Sequence, residues 1–543
     1  KLKEPLMKNR IQDIFDKSMA IESFTHTSSE RNIENFLNHY IGSLLYFQEH
    51  SDYFGTYQIP DDIYQRSVNW ALVKGHCADT VILFHHHDTV DIEDFGNLKE
   101  FAFDNVALKK ALASASLGQD VLDDIAANEW QFGRGSCDMK AALALQLGVV
   151  AEYASKAEGE VNLLYLSVGD EESYSQGMRA AVGLLANLKK KFHLNYILAI
   201  DSEPFESPSA QEKVLHVGTV GKMMPVVVTQ GILSHMKEPL KGINAVSLLA
   251  KVVEKIDLNP LLSDSIYGEQ APLPSWSYMR DLKENYDVST VLRAAGYFSV
   301  LYLDKSPKEL MTTIQQLCQE AIDEFYERYQ ALQVIYKEDK KVTKPHVLTY
   351  EELIQLCQKK AGFEEFMHKA NQSAHEAFQA GSSYQEITIA TVQKVLDFYD
   401  KKEAFVVLAI APPYYPSMNC RHLKNSVVDI EKLIAFYRDY LVEQGASRLK
   451  VEEFFMGICD ISYCALEKSV EEYQKIIESM AVPEHLYSID FEKIQDINVP
   501  GINLGPWGKD LHQLTERVYE KDMLETIPQF LLYLLEHIDS IKK

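Results

Sequence analysis

The sequence has few cysteines, and no two of them have the spacing of a thiolate metal site. Its seven cysteines are scattered and never form CxxC, which argues against a disulfide framework and a thiolate zinc site and predicts a cytoplasmic protein. Long apolar runs are also missing: residues 404–413 form one of the longest, far short of the ~20 residues of a membrane helix. The charged first ten residues lack the apolar core of a signal peptide. We therefore expect no membrane partner.

Basic residues are in short supply. The chain has 54 Lys and Arg against 79 Asp and Glu, which gives a formal net charge of −25. A protein this acidic would repel a phosphate backbone, so we expect no nucleic-acid partner. The hydrophobic fraction of 46% and charged fraction of 24% are typical of a globular protein, and the length suggests roughly two to four domains.

Strands and helices alternate over the first part of the chain. Short apolar segments at 80–84, 161–168 and 196–200 predict strands, and the Ala/Leu-rich segment 139–153 predicts a helix. Strands separated by helices indicate an α/β fold with a mostly parallel sheet flanked by helices.

A second pattern begins near residue 213. Strands are expected near 222–229, 276–279, 297–303 and 333–337, with helices at 244–256 and after the capping residue Ser306. The order β-α-β-β-α-β predicts an inserted α+β, ferredoxin-like domain. We therefore assign residues 1–212 to the first part of a larger domain, 213–340 to the insertion, and 341–543 to the second part, with a helical insertion of its own.

Four acidic or histidine-rich clusters follow predicted strands or precede a predicted helix. They are the segment 85–88 (HHHD), Asp138 in GRGSCD, the segment 170–172 (DEE) and the segment 201–204 (DSEP). Taken singly, each has an ordinary explanation as a polar loop, a solvated run or a turn. Carboxyl ends of parallel strands face one crevice, however, so these clusters are expected to meet there.

Five or more carboxylates cannot share a crevice in ionised form unless a cation offsets their repulsion. Mixed His, Asp and Glu ligands suit zinc, manganese or iron better than calcium, which prefers oxygen ligands alone. The sequence therefore predicts a metal site.

Five motifs resemble those of the co-catalytic dizinc exopeptidases and deacylases, a family that includes acetylornithine deacetylase, succinyl-diaminopimelate desuccinylase, aminoacylase and glutamate carboxypeptidase. The motifs are HxDTV at 86–90, GRGxxDMK at 133–140, DEE at 170–172, EP at 203–204 and GPxxxxxH at 505–512. Within the family, the long second half resembles the arginine-utilisation (Roc-type) proteins.

The resemblance implies a role for each matching residue. His86 and Glu203 would hold one metal, Glu172 and His512 the other, and Asp138 would bridge both; Asp201 is the alternative if Glu203 is turned away. Two divalent ions are implied, zinc in the first place, with cobalt or manganese as alternatives. The further catalytic residues are the general base Glu171, Asp88, which would accept the far N–H of His86, and His235, which would reach an active site.

The larger domain would then be catalytic, and the insertion a lid and dimerisation domain through which a homodimer could form. The expected activity is hydrolysis of an N-acyl or peptide bond in a small amino-acid derivative, connected with arginine or ornithine catabolism. Two alternatives stay open: a catalytically silent relative that binds a metabolite or partner, and a dimetal phosphoesterase.

Overall fold

The computed structural model describes residues 3–156, 159–445 and 448–543. Its strands are β1 (Phe54–Gln58), β2 (Ser67–Val73), β3 (Asp79–His86), β4 (Trp130–Phe132), β5 (Asn162–Val168), β6 (Asn195–Asp201), β7 (Glu212–His216), β8 (Gly218–Thr219), β9 (Gly221–Gln230), β10 (Ser265–Ile266), β11 (Glu269–Gln270), β12 (Ser275–Asp281), β13 (Arg293–Tyr302), β14 (His346–Thr349), β15 (Phe405–Tyr415), β16 (Met418–Asn419), β17 (Arg448–Glu452), β18 (Gly501–Asn503), β19 (Gly508–Lys509) and β20 (Arg517–Tyr519).

The α-helices are α1 (Lys3–Met19), α2 (Glu30–Ser43), α3 (Leu45–Glu49), α4 (Asn105–Leu112), α5 (Gln119–Ala127), α6 (Ala141–Ala154), α7 (Gln176–Phe192), α8 (Ala245–Ile256), α9 (Pro307–Ile335), α10 (Tyr350–Gln358), α11 (Phe363–Gln379), α12 (Tyr384–Tyr399), α13 (Ile430–Glu443), α14 (Val470–Glu478), α15 (Phe491–Ile497) and α16 (Ile527–Glu536). Among the described residues, every helix is too short or too polar to cross a membrane.

The chain divides into two compact units. Unit 1 consists of Lys1–Thr219, Met418–Glu467 and Glu492–Lys543, and unit 2 of Val220–Ser417 and Lys468–Phe491. Each unit is thus built from segments that are distant in sequence.

Unit 1 is built on an eight-stranded sheet with the order β1-β2-β5-β3-β6-β18-β7-β17. Its centre is parallel: β3 pairs in parallel with β5 and β6, and β6 with β18. These central strands are buried along nearly their whole length, as expected for parallel strands covered on both faces. Helix α6 packs on β3 and β5, and α7 on β2 and β5. The predicted α/β fold is confirmed.

The strand register brings three of the predicted clusters to one edge of this sheet. His86 at the end of β3 pairs with Val168 at the end of β5, and Phe84 pairs with Asp201 at the end of β6. Residues that follow β3, β5 and β6 therefore leave the sheet side by side, in the crevice where ligands of parallel sheets bind.

Unit 2 contains a five-stranded sheet with the order β12-β13-β9-β15-β14. Helices α10 and α12 pack on one face of β9 and β15. Thr229 points to the opposite face of β9 and donates a hydrogen bond to Ala245 at the start of α8. The order β9-α8-β12-β13-α9-β14 matches the predicted β-α-β-β-α-β unit, but β15 lies between its first and last strands.

Two boundary predictions for unit 2 are wrong. The strand expected at 333–337 does not form, because α9 continues to Ile335 in helical geometry; the last strand is β14 instead. Residues 341–417, which we assigned to the second part of the larger domain, lie in unit 2. The physical reason is β15, a fully buried strand that hydrogen-bonds to β9 and β14 and so keeps this stretch in the sheet of unit 2.

Candidate metal centre

The segment before α6 makes a tight turn that carries Asp138. Gly135 has a φ of +77°, and a Cβ at this position would lie 2.6 Å from the methyl group of Thr89. A residue without a side chain is therefore required there. The turn leads through a cis peptide between Asp138 and Met139 into the fully buried start of α6.

One group of potential ligands consists of His86, Asp138 and Glu203. The Nε2 atom of His86 lies 2.9 Å from Oδ1 of Asp138 and 3.6 Å from Oε1 of Glu203. All three residues are buried. An imidazole and two carboxylates from β3, the turn before α6 and the end of β6 thus converge on one point.

A second group consists of Asp138, Glu172 and His512. The Nε2 atom of His512 lies 3.1 Å from Oδ2 of Asp138 and 3.1 Å from Oε1 of Glu172. The His512 side chain is 48% exposed, whereas those of Asp138 and Glu172 are 8% and 7% exposed. This group is therefore open to solvent on the histidine side.

Asp138 belongs to both groups and uses a different carboxylate oxygen in each. In each group the ligand atoms lie within 4.8 Å of one another. Nitrogen and oxygen donors at such separations fit zinc or a similar divalent cation, and a carboxylate that faces two such points fits a two-metal site. The residues present therefore fit the pair of metals expected from the sequence.

Asp88 holds the surroundings of His86 in place. The Nδ1 atom of His86 lies 3.0 Å from the backbone oxygen of Asp88 and 3.4 Å from its Oδ1. The carboxylate of Asp88 also accepts hydrogen bonds from the backbone N–H groups of Glu171 and Glu172, at 3.2 and 3.1 Å. Asp88 thus contacts both the Nδ1 atom of His86 and the backbone of the loop that carries Glu171 and Glu172.

Glu171 points into the site. Its Oε2 lies 3.9 Å from Nε2 of His86, and its side chain is 11% exposed. Burial, together with the nearby carboxylates of Asp460 and Glu172, raises its pKa well above the usual range, against the opposing effect of His86.

The pKa values of the four other groups at this site are also shifted by burial and by their neighbours. Burial and the neighbouring Asp138 raise the pKa of Glu172 to about 6 and that of Glu203 well above its usual range. Burial also opposes ionisation of Asp138, but hydrogen bonds from His512 and His86 outweigh it and lower the pKa of this carboxyl. Hydrogen bonds to Asp138 and Glu172 raise the pKa of His512 to about 11. Without cations, protons must compensate the acidic groups.

The other predicted residues lie elsewhere. Asp201 accepts a hydrogen bond from the backbone of Ser202 and belongs to neither ligand group. His85 and His87 are buried and contact Gln146 and Ser167. His235 lies in unit 2, exposed on the loop after β9, where its Nδ1 accepts a hydrogen bond from the backbone of Lys237.

Sequence reasoning missed Glu516, although it lies only four residues after His512. Its buried carboxylate accepts a hydrogen bond from Nη1 of Arg134 at 2.7 Å. It also accepts hydrogen bonds from the backbone N–H groups of Cys137 and Asp138, at 3.3 and 3.4 Å. Glu516 therefore connects the segment of His512 to the turn that carries Asp138.

Gly169 gives a first testable prediction. A Cβ at this position would lie 2.1 Å from Oε2 of Glu30 and 2.9 Å from Nε2 of His87, and Glu30 is held by an ion pair with Arg66. We expect Gly169→Ala to lower the free energy of unfolding by about 1–3 kcal/mol through overpacking. Denaturant unfolding measures this change.

Gly183→Ala in α7 is the matched control, because the nearest atom to its Cβ, the hydroxyl of Tyr57, is 3.6 Å away. That variant should gain up to about 1 kcal/mol from helix propensity. A Gly169→Ala protein as stable as the unmodified chain would contradict the prediction.

Glu34 gives a prediction about pH. Burial raises the pKa of Glu34 from 4.5 to about 7, although its hydrogen bond from Ser67 opposes the shift. Because its pKa is raised on folding, its stabilising contribution is complete below pH 4.5 and is lost as the pH rises through about 7. Glu34→Gln removes this loss, so we expect it to gain up to about 3 kcal/mol over the unmodified chain at high pH and little at low pH.

Denaturant unfolding of both proteins at about pH 5 and about pH 8 checks this expectation, because these values bracket most of the titration. A stability difference that does not change with pH would contradict it.

The fold and the site together define a class. Two potential ligand groups that share one carboxylate, at the carboxyl edge of a mainly parallel sheet, are the arrangement of a two-metal hydrolase. The family model for Peptidase family M20/M25/M40 matches residues 119–536, and the chain belongs to this family. It is a metallohydrolase that acts on amide bonds, and the family predicted from the sequence motifs is confirmed. His86 and Asp88 precede the matched span.

The chain is similar over nearly its whole length to two proteins of Bacillus subtilis. It is 30% identical to the uncharacterized protein YqjN, covering 97% of this chain and 96% of that protein. It is 28% identical to Protein RocB, covering 97% of this chain and 95% of that protein. Among solved structures, an M20 family metallo-carboxypeptidase, Sso-CP2 from Sulfolobus solfataricus, matches with a TM-score of 0.52 at 12% identity, covering 97% of this chain and 98% of that one. This last likeness concerns the fold.

Proposed function

We propose that this protein hydrolyses an N-acyl or peptide bond of a small amino-acid derivative with a pair of divalent cations. His86 and Glu203 would hold one cation, Glu172 and His512 the other, and Asp138 would bridge them. The observation that carries the proposal is that Asp138 turns one carboxylate oxygen to His86 and the other to His512.

The chemistry divides between the cations and the chain. When bound, a pair of divalent cations lowers the pKa of a water molecule and polarises the substrate carbonyl. Glu171 would accept the proton of the attacking water and pass it to the nitrogen of the leaving amine. Asp88 would fix the position of His86 relative to the backbone of Glu171 and Glu172 through the contacts described above.

Zinc is the proposed metal, with cobalt or manganese as alternatives, because the donor set mixes imidazole and carboxylate. The proposed connection with arginine or ornithine catabolism is supported by the identity to Protein RocB and by the motifs shared with the Roc-type proteins. The cysteines, which are free thiols, support a cytoplasmic location.

A homodimer formed through unit 2 is also part of the proposal. Strand β12 is an edge of its sheet and is largely exposed, and unpaired edges can add a strand from another chain. Large apolar side chains are exposed nearby in sequence, among them Met279, Tyr286 and Val288. His235 would act as a catalytic residue. In a dimer, the His235 of one protomer would reach the active site of its partner.

The test combines metal analysis with a screen of N-acyl-amino acids, N-acyl-ornithine and N-acyl-arginine derivatives, and dipeptides. We expect about two equivalents of divalent metal per chain and amide hydrolysis that a chelator abolishes and added zinc restores. Phosphate release from generic esters without amide cleavage would select the phosphoesterase. Absence of bound metal together with absence of any metal-dependent hydrolysis would favour the silent relative.

A further inference from the structure

The loop that joins β5 to α7 carries both Glu171 and Glu172. We call residues 170–176 the base loop. It begins at Asp170, whose φ of +67° places it in the left-handed region, and it ends at Gln176, the first residue of α7. The carboxylate of Asp88 holds the loop from one side through two backbone N–H groups. The opposite side has a different support.

Arg66, directly before β2, contacts both ends of the base loop. Its Nη1 donates to Oδ1 of Asp170 at 2.8 Å, and its Nη2 donates to Oε1 of Gln176 at 2.7 Å. The Arg66 side chain is completely buried, as is that of Asp170. The guanidinium is planar, so these two contacts fix the distance between the two ends of the loop.

Further contacts hold the guanidinium itself. Nε and Nη2 of Arg66 donate to the carboxylate of Asp62, and Nη1 donates to Oε1 of Glu30 at 2.7 Å. Glu30 is the first residue of α2. Because Nε, Nη1 and Nη2 all make hydrogen bonds, most of them charge-assisted, the Arg66 side chain is held rigidly. The segment before β2 thus anchors Arg66, and Arg66 anchors the base loop.

Residues before α2 support the same loop. Nδ1 of His26 lies 2.9 Å from Oδ1 of Asp170, the oxygen that also receives Arg66. The hydroxyl of Thr25 donates to that of Ser173 at 3.0 Å. The segment before α2 therefore contacts the base loop at its start and in its middle, in addition to the contacts of Arg66 at both ends.

We propose that Arg66 is a positioning residue for hydrolysis: it clamps both ends of the base loop and so fixes Glu171 and Glu172 opposite His86 and Asp138. This inference rests on the proposed function of Glu171 and Glu172. The expected size of the effect is large, because a misplacement of about 1 Å can cost about 100-fold in rate.

Arg66→Ala in the metal-loaded protein tests this role. We expect kcat to fall about 100-fold with KM little changed. Titration of the metal-free protein with cobalt or zinc should show one of the two cations bound about 10–100-fold more weakly, since Glu172 is displaced while His86 and Glu203 are not. Guanidinium chloride below denaturing concentration should restore part of kcat by occupying the vacated space.

Two further variants complete the experiment. Arg421→Ala is the matched control, because Arg421 also pairs with two carboxylates in unit 1, those of Glu453 and Glu431, and both of these lie outside the base loop. Gln176→Ala removes one loop contact and leaves the buried charges paired. Its kcat should also fall, but less than that of Arg66→Ala. This variant tests the proposal even if Arg66→Ala fails to fold.

The outcomes separate this inference from the proposed function. Folded Arg66→Ala and Gln176→Ala proteins with unchanged kcat and unchanged metal affinities would overturn it. So would a loss of activity that guanidinium does not rescue and that follows only the folded fraction measured by circular dichroism. If the unmodified protein hydrolyses no amide, yet Arg66→Ala still weakens one cation, the proposed function fails and the positioning role stands.

Discussion

Replacing Glu171 with glutamine is expected to lower kcat by about 10²–10⁴-fold while the protein keeps its metal. The amide has nearly the shape of the carboxylate but cannot accept the proton of the attacking water, and general acid–base catalysis contributes an effect of this size. Glu171 belongs to neither potential ligand group, so cation binding should persist. Steady-state kinetics on the best substrate, with metal analysis of the same sample, measures both quantities.

Glu172→Gln is the natural comparison, because it changes the adjacent residue, which does belong to a ligand group. That variant should lose cation affinity as well as activity. A Glu171→Gln protein with full activity would remove Glu171 as the base. One that loses metal to the same degree as Glu172→Gln would instead make Glu171 a ligand.

The second large effect is expected at Asp138. Because this carboxylate faces both ligand groups, Asp138→Ala should weaken both cations and abolish turnover. Mutation of a residue that only supports a metal ligand lowers metal affinity by about 10–100-fold. Removing a ligand shared by both cations should therefore lower metal affinity by more than about 100-fold. Metal titration of the dialysed protein and metal content after gel filtration measure the effect.

Glu203→Ala is the control for Asp138, because Glu203 belongs to one group only. It should leave one cation bound more tightly than the other. If Asp138→Ala retains two tightly bound cations, or loses no more affinity than Glu203→Ala, a shared role for Asp138 is excluded. Thermal unfolding of both variants without metal checks that each is folded.

The central sheet of unit 1 could be predicted because its signals are local. Segments 80–84, 161–168 and 196–200 are short apolar runs, and the structure has β3, β5 and β6 there. Parallel strands also allow a spatial inference, since residues after each strand must leave at one edge. This edge and the family motifs together predict that His86, Glu172 and Glu203 lie close to one another.

Contacts between distant segments could not be predicted in this way. The pairing of β15 with β9 joins strands far apart in sequence, and nothing in the local pattern of residues 405–415 states which sheet they enter. Glu516 and Arg66 act through buried hydrogen bonds to segments far from their own. A lone charged residue in a sequence is usually solvated, so only the fold reveals these partners.

The division of unit 1 into three stretches affects the order in which the protein can become active during synthesis. Translation delivers His86, Asp138, Glu172 and Glu203 early, then all of unit 2, and His512 only with the final stretch. Since domains emerge from the ribosome from the N-terminus onwards, the other four proposed ligands leave the ribosome well before His512. The proposed ligand set is therefore complete only after His512 has been synthesised, and we expect a product that ends before this residue to be inactive.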